Sequence, residues 1–167
     1  MIKISIQQND FSVADEYQQL IADDRSQGGV ATFIGRVRNS DDIKVNENSI
    51  DSPVKKDICA LELEYYPGMT EKVLTQLAET AREKWPLAAV TIIHRVGKLM
   101  AGEQIVFVGV TSMHRKAAFA ACEYIMDILK TTAPFWKKEF SKENDQLQER
   151  WVEAKAADKA EAEKWLK

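Results

Sequence analysis

Two apolar runs, AAVTIIHRVG (88–97) and EQIVFVGVTS (103–112), do most to limit what this chain can fold into. Both favour extended backbone, and a short Gly-containing stretch separates them, so they read as the two strands of a hairpin. The next segment places Ala118, Ala121, Cys122, Ile125 and Leu129 at helical spacing. Ser112 is the candidate cap for a helix over 113–132. Pro134 disfavours helix at Ala133 and ends it.

The rest of the chain can be built around this strand–strand–helix block. Ile2, Ile4 and Ile6 alternate with polar residues as a half-buried strand. Ser12 and Asp15 resemble a capping box opening a helix to about residue 23, with Tyr17, Leu20 and Ile21 on its apolar side. VATFIGRV (30–37) reads as a strand, with Gly35 marking a bulge or a close backbone approach. Residues 39–57 are polar and aperiodic, which predicts a long exposed loop. ICALELEYY (58–66) would place Cys59, Leu61, Leu63 and Tyr65 on one strand face. A helix over 70–85 follows, with Val73, Leu74, Leu77, Ala78 and Ala81 inward and Pro86 at its end. The last residues suggest a short strand and then an Ala/Glu/Lys-rich helix. With no repeats and no Pro/Gly/Ser-rich linker, residues 1–167 make one domain of the α+β class, its strands mostly antiparallel.

Charge and composition exclude several kinds of function. A net charge of −3 disfavours non-specific binding to nucleic acid or an anionic membrane. Cys59 and Cys122 lie far apart inside apolar patterns and fit a reducing compartment better than a disulfide framework. The N-terminus lacks signal-peptide character and no stretch is long enough to span a bilayer, so the expected location is the cytoplasm. The two histidines, His94 and His114, stand twenty residues apart with no completing carboxylates, so no metal site is predicted. Nucleophile-elbow, GxGxxG and P-loop patterns are absent.

What remains is a set of cations in an acidic chain. Arg36 and Arg38 share a face at a strand end, as a solvated pair or as anion ligands. Arg95 and His94, in mid-strand, read as structural, His94 as a hydrogen-bonded core residue. His114 and Arg115 fall in the first turn of the 113–132 helix, where cations oppose the helix dipole unless an anion compensates. Lys130 occupies its last turn. That suits any lysine at a helix C-terminus, but Phe135, Trp136 and Lys137 nearby could also desolvate its amine and make it nucleophilic. Fifteen residues separate Arg115 from Lys130, roughly 22 Å along one helix, too far for one small anion to touch both. Either two sites exist, or one site draws Lys130 from one chain and His114–Arg115 from a second across a two-fold axis.

The segments TFIGRVRN (32–39), LELEYYPGMTEKVL (61–74), WPLAAVTIIHRVGKL (85–99), GEQIVFVGVTSMHRKAAF (102–119), YIMDILKTTAPFWKKE (124–139) and ERWVEA (149–154) resemble, in order, the MoaE family. This is the large, catalytic subunit of molybdopterin synthase. The departure from the family pattern is the length of 39–57. The resemblance implies an α/β hammerhead fold with an additional antiparallel β-rich subdomain, and a homodimer at the centre of a heterotetramer. A small ubiquitin-like sulfur carrier of the MoaD type would bind at each end and thread its C-terminal thiocarboxylate into a pocket. Two sulfurs would pass to cyclic pyranopterin monophosphate to make molybdopterin, with no further cofactor. By position, Lys130 and Lys137 match the family's catalytic lysines, and Arg38, His114 and Arg115 its substrate pocket. Arg36, Val37, Met126 and Lys138 are further substrate-binding candidates. The competing reading is a non-catalytic dimeric adaptor that docks a ubiquitin-like tail beside Phe135 and Trp136.

Overall fold

The computed structural model describes residues 1–22, 25–41, 56–143, 146–152 and 156–166. Its elements, in chain order, are β1 (Ile2–Gln7), α1 (Val13–Ile21), β2 (Gly29–Arg36), β3 (Ser40–Asp41), β4 (Lys56–Tyr65), α2 (Met69–Lys84), β5 (Leu87–Arg95) and β6 (Gly97–Met100). Then come β7 (Gln104–Ser112), α3 (Arg115–Thr132), β8 (Phe135–Glu143), β9 (Gln146–Val152), α4 (Ala156–Glu163) and a closing 3₁₀ turn, Lys164–Leu166. The class is α+β, as the sequence implied.

Two sheets divide the work. The first has the order β1-β5-β7-β2, with β1 parallel to β5 and the other pairings antiparallel. Its central strands, β5 and β7, are covered on both faces. Val90, Ile92, Val108 and Val110 pack under Leu74, Leu77 and Ala81 of α2 and Ala121, Ile125 and Leu129 of α3. Ile93 and Phe107 face the other way, against Phe11. This explains why the two runs are apolar almost without interruption. The second sheet, β3-β4-β8-β9, is antiparallel and closes a smaller core of Val37, Ile58, Leu61, Leu63 and Leu99.

The connection inside the expected hairpin carries more structure than a turn. Residues 97–100 form β6, which leaves the first sheet and pairs with β4 of the second. Gly97, at φ +80°, supplies the left-handed backbone for that departure. Arg95, just before it, donates to the Gln104 carbonyl at 2.9 Å and pairs with Glu103 at 3.3 Å and Asp10 at 3.5 Å. It is structural, as expected.

Several local expectations hold. The Ser12 hydroxyl accepts from the Asp15 N–H at 3.3 Å, and the ladder between β2 and β7 shifts register at Gly35–Arg36. Others need correction. Ser112 does not cap α3: β7 runs through it, and its buried hydroxyl donates to the Pro86 carbonyl at 2.9 Å. The chain needs two more residues to turn, so His114 takes the N-cap position and the helix starts at Arg115. In β4 a bulge between Ile58 and Ala60 breaks the alternation. Ile58, Ala60, Leu61 and Leu63 are buried, while Cys59 is only half-buried, its thiol donating to the Phe140 carbonyl at 3.2 Å. The expected loop over 39–57 is shorter at both ends, because Ser40 and Asp41 pair with Asp57 and Lys56. Its middle, 42–55, lies outside the described residues. None of the described helices is long and apolar enough to cross a membrane.

Candidate active site

Where the two sheets meet the end of α3, they leave a cavity of about 630 Å³. Pro134 forces the corner that shapes it. Ala133 leaves the helix in extended conformation (φ −71°, ψ 128°) while its N–H still bonds the Leu129 carbonyl at 3.2 Å. Phe135 then begins β8, paired with Tyr65 of β4. Strand alternation puts residues 135, 137 and 139 on one face of β8, and Phe135, Lys137 and Glu139 all line the cavity. Lys130 and Met126 enter from α3, Arg36 and Arg38 from the end of β2 and just beyond it, His94 from β5 and Asp158 from α4. Lys130 and Lys137, seven residues apart across a proline corner, therefore share one space.

The charges in this space are interlocked. Lys130 is half-exposed, with the Asp158 carboxylate 3.4 Å from its ammonium. The Lys137 ammonium lies 3.4 Å from Glu139 Oε1. Glu139 is only 3% exposed, and its other oxygen contacts Arg150 at 3.3 Å. Oε1 accepts no geometrically satisfactory hydrogen bond, so its compensation rests on the Lys137 charge. Arg36 donates from Nε to the Gly102 carbonyl at 2.8 Å, which fixes the plane of its guanidinium. His94 is buried and stacks on Phe135, with centroids 4.0 Å apart and planes 19° from parallel. Burial pushes its pKa down to about 4, only partly opposed by the Nδ1 contact with the Arg95 carbonyl.

The structure does not gather every candidate. Lys138 points from the opposite face of β8, pairs with Glu149 at 2.8 Å and sits over the Trp151 ring. The Glu149 hydrogen bond raises its pKa. Val37 is buried in the smaller core, and its backbone bonds Glu103 and Gly102; it lines only a second groove, shared with Arg36 and Arg38. His114 and Arg115 are exposed at the far end of α3 and do not line the cavity. Trp136, expected with Phe135 to desolvate Lys130, is 50% exposed and does not line the cavity, whereas Phe135 does, beside Met126 and Leu129. Sequence reasoning missed Glu139 and Asp158. The i, i+2 relation of Lys137 and Glu139 was the available signal for the first, and nothing local marked the second. His94 is the buried, hydrogen-bonded residue that was expected, and it lines the cavity as well.

The family profile described as "MoaE protein" matches residues 6–132. The chain belongs to the MoaE family. Among its relatives, the "Molybdopterin synthase catalytic subunit" of Vibrio cholerae is 47% identical over 163 residues, covering 98% of this chain and 97% of the relative. The protein of the same description from Escherichia coli K12 is 49% identical with the same coverage. The solved structure of a molybdopterin biosynthesis MoaE protein from Burkholderia ambifaria superposes with a TM-score of 0.77 at 42% identity, covering 100% of this chain and 99% of that one. The segments that build the cavity up to Thr132 fall inside the matched MoaE region, and β8 and α4 extend it.

Proposed function

We propose that this chain is the catalytic subunit of a molybdopterin synthase. It acts as a sulfurtransferase that moves two sulfurs from the C-terminal thiocarboxylate of a ubiquitin-like, MoaD-type carrier to cyclic pyranopterin monophosphate. The observation that carries the reading is the convergence of Lys130 and Lys137 in one cavity with Arg36 and Arg38 at its mouth. Both reactants are anions, a phosphate diester and a thiocarboxylate, and a cationic cleft can hold and align them. Arginine forks suit the phosphate oxygens. The apolar wall of Phe135, Met126 and Leu129 limits water around the reacting groups.

Roles divide between the lysines by their surroundings. Lys137, held by the ion pair to buried Glu139, serves as a fixed positive charge for the carrier's terminal carboxylate or for charge developing during transfer. Lys130, more exposed and at a helix end, acts as proton donor and acceptor or as transient acyl acceptor from the carrier. His114 and Arg115 would reach a site only as part of a second copy, in a homodimer that shares its two sites. The test is to incubate the chain with thiocarboxylated carrier and cyclic pyranopterin monophosphate. Dithiolene product is expected; tight carrier binding without product would favour a non-catalytic adaptor.

A further inference from the structure

Among the described residues lining the cavity, one hydrogen-bonding side chain carries no charge. Arg36, Arg38, Lys130 and Lys137 are cations, and Glu139 and Asp158 are carboxylates engaged with those lysines. The exception is His94. Its Nδ1 lies 2.8 Å from the Arg95 carbonyl oxygen, which can only accept, so Nδ1 carries the hydrogen and Nε2 the lone pair. Among the described residues Nε2 takes no hydrogen bond. The ring is held edge and face, by that bond and by the stack on Phe135, so the acceptor is fixed before any ligand arrives. A phenyl ring would stack equally well here without bringing an acceptor to the cavity lining.

We infer that His94, within the sulfur-transfer site proposed above, accepts a hydrogen bond at Nε2 from an uncharged N–H group of a bound reactant. The carboxylates lining the same cavity are ion-paired with lysines and suit cationic partners, although Glu139 Oε1 also lacks a hydrogen bond; the neutral imidazole suits a neutral donor. Two reactants carry one: the backbone amides of the carrier's Gly-Gly tail, and the ring and amino N–H groups of the pterin. The chemistry recognised is the same, and the sources separate by experiment.

The first measurement uses the unaltered chain labelled with ¹⁵N-histidine, which has only two histidines to assign. Unthiolated carrier and cyclic pyranopterin monophosphate are added separately, with binding of each verified by calorimetry. The His94 Nε2 resonance should move in the arm that supplies the donor. No movement in either arm, with both bound, would overturn the inference. The second compares His94→Phe, which keeps the stack, with His94→Gln, which offers a side-chain acceptor. His94→Phe should raise KM for one reactant by about tenfold with kcat within about twofold, the effect of one lost hydrogen bond, and His94→Gln should recover most of it. Unchanged KM for both reactants in a folded His94→Phe chain would also overturn it. A purely structural role would lower the active fraction without moving either KM. Absence of turnover in the unaltered chain would instead count against the sulfur-transfer reading, and the resonance shifts would still report on His94.

Discussion

Acid should destabilise this fold in a specific window because of His94. The imidazole is buried and neutral, its pKa pushed down to about 4, whereas in the unfolded chain it returns to its ordinary value of 6.5. Between these values the unfolded state binds a proton that the folded state refuses, so stability falls as pH falls. Above 6.5 neither state is protonated and nothing is lost. Below 4 the loss is complete, at about 3 kcal/mol for a separation of this size. Lys130 and Lys137 line the same cavity and oppose a charged imidazole, and Glu139 favours one. The assay is urea unfolding of the unaltered chain and of His94→Phe between pH 7 and pH 4.5. Carboxylate titrations common to both cancel in the difference. That difference should shift by about 2 to 2.5 kcal/mol against the unaltered chain over this range. A flat difference would refute the reasoning, because it would mean that the folded chain admits the proton.

Three further outcomes follow from the packing and the site. Ile125, fully buried where α3 meets the first sheet, should cost about 2–5 kcal/mol when replaced by alanine, read from the urea midpoint. Glu139→Gln removes the charge that holds Lys137 and Arg150, so turnover should drop while the circular dichroism spectrum stays unchanged; full turnover would show that the ion pair does not position Lys137. Mixing Arg115→Ala with Lys130→Ala chains should restore part of the activity that each lacks alone, since one site of a mixed dimer would be intact. Verified mixed dimers without recovery would contradict the shared site.

The sequence made the local architecture legible wherever one residue's chemistry decides it. The β5 and β7 runs, the Ser12 cap, the bulge at Gly35 and the break at Pro134 follow from side-chain branching, capping chemistry and ring geometry. The convergence of Lys130 and Lys137 was legible too, because Pro134 separates a helical from an extended register at known spacing. Long-range contacts left no such trace. Residues 97–100 look like a turn until β4 is present to pair with them. Ser112 has the chemistry of a cap, but the Pro86 carbonyl, far away in sequence, takes its hydroxyl. Asp158 meets Lys130 because Trp165 anchors the C-terminal segment, donating to Asp127 at 2.9 Å and packing on Trp85 and Tyr124. His94 looks like core from its neighbours in the chain. It becomes a cavity residue only when Phe135 and β8 fold over it.

The central claim is that the cavity under the α3–β8 corner performs sulfur transfer with Lys130 as its reacting residue. The most direct measurement is single-turnover dithiolene formation by Lys130→Ala with thiocarboxylated carrier and cyclic pyranopterin monophosphate, alongside carrier affinity for the same protein. The account predicts product formation lowered by at least about a hundredfold, as removal of a general acid or base does, with carrier affinity nearly unchanged. Near-normal product formation by this variant would contradict it.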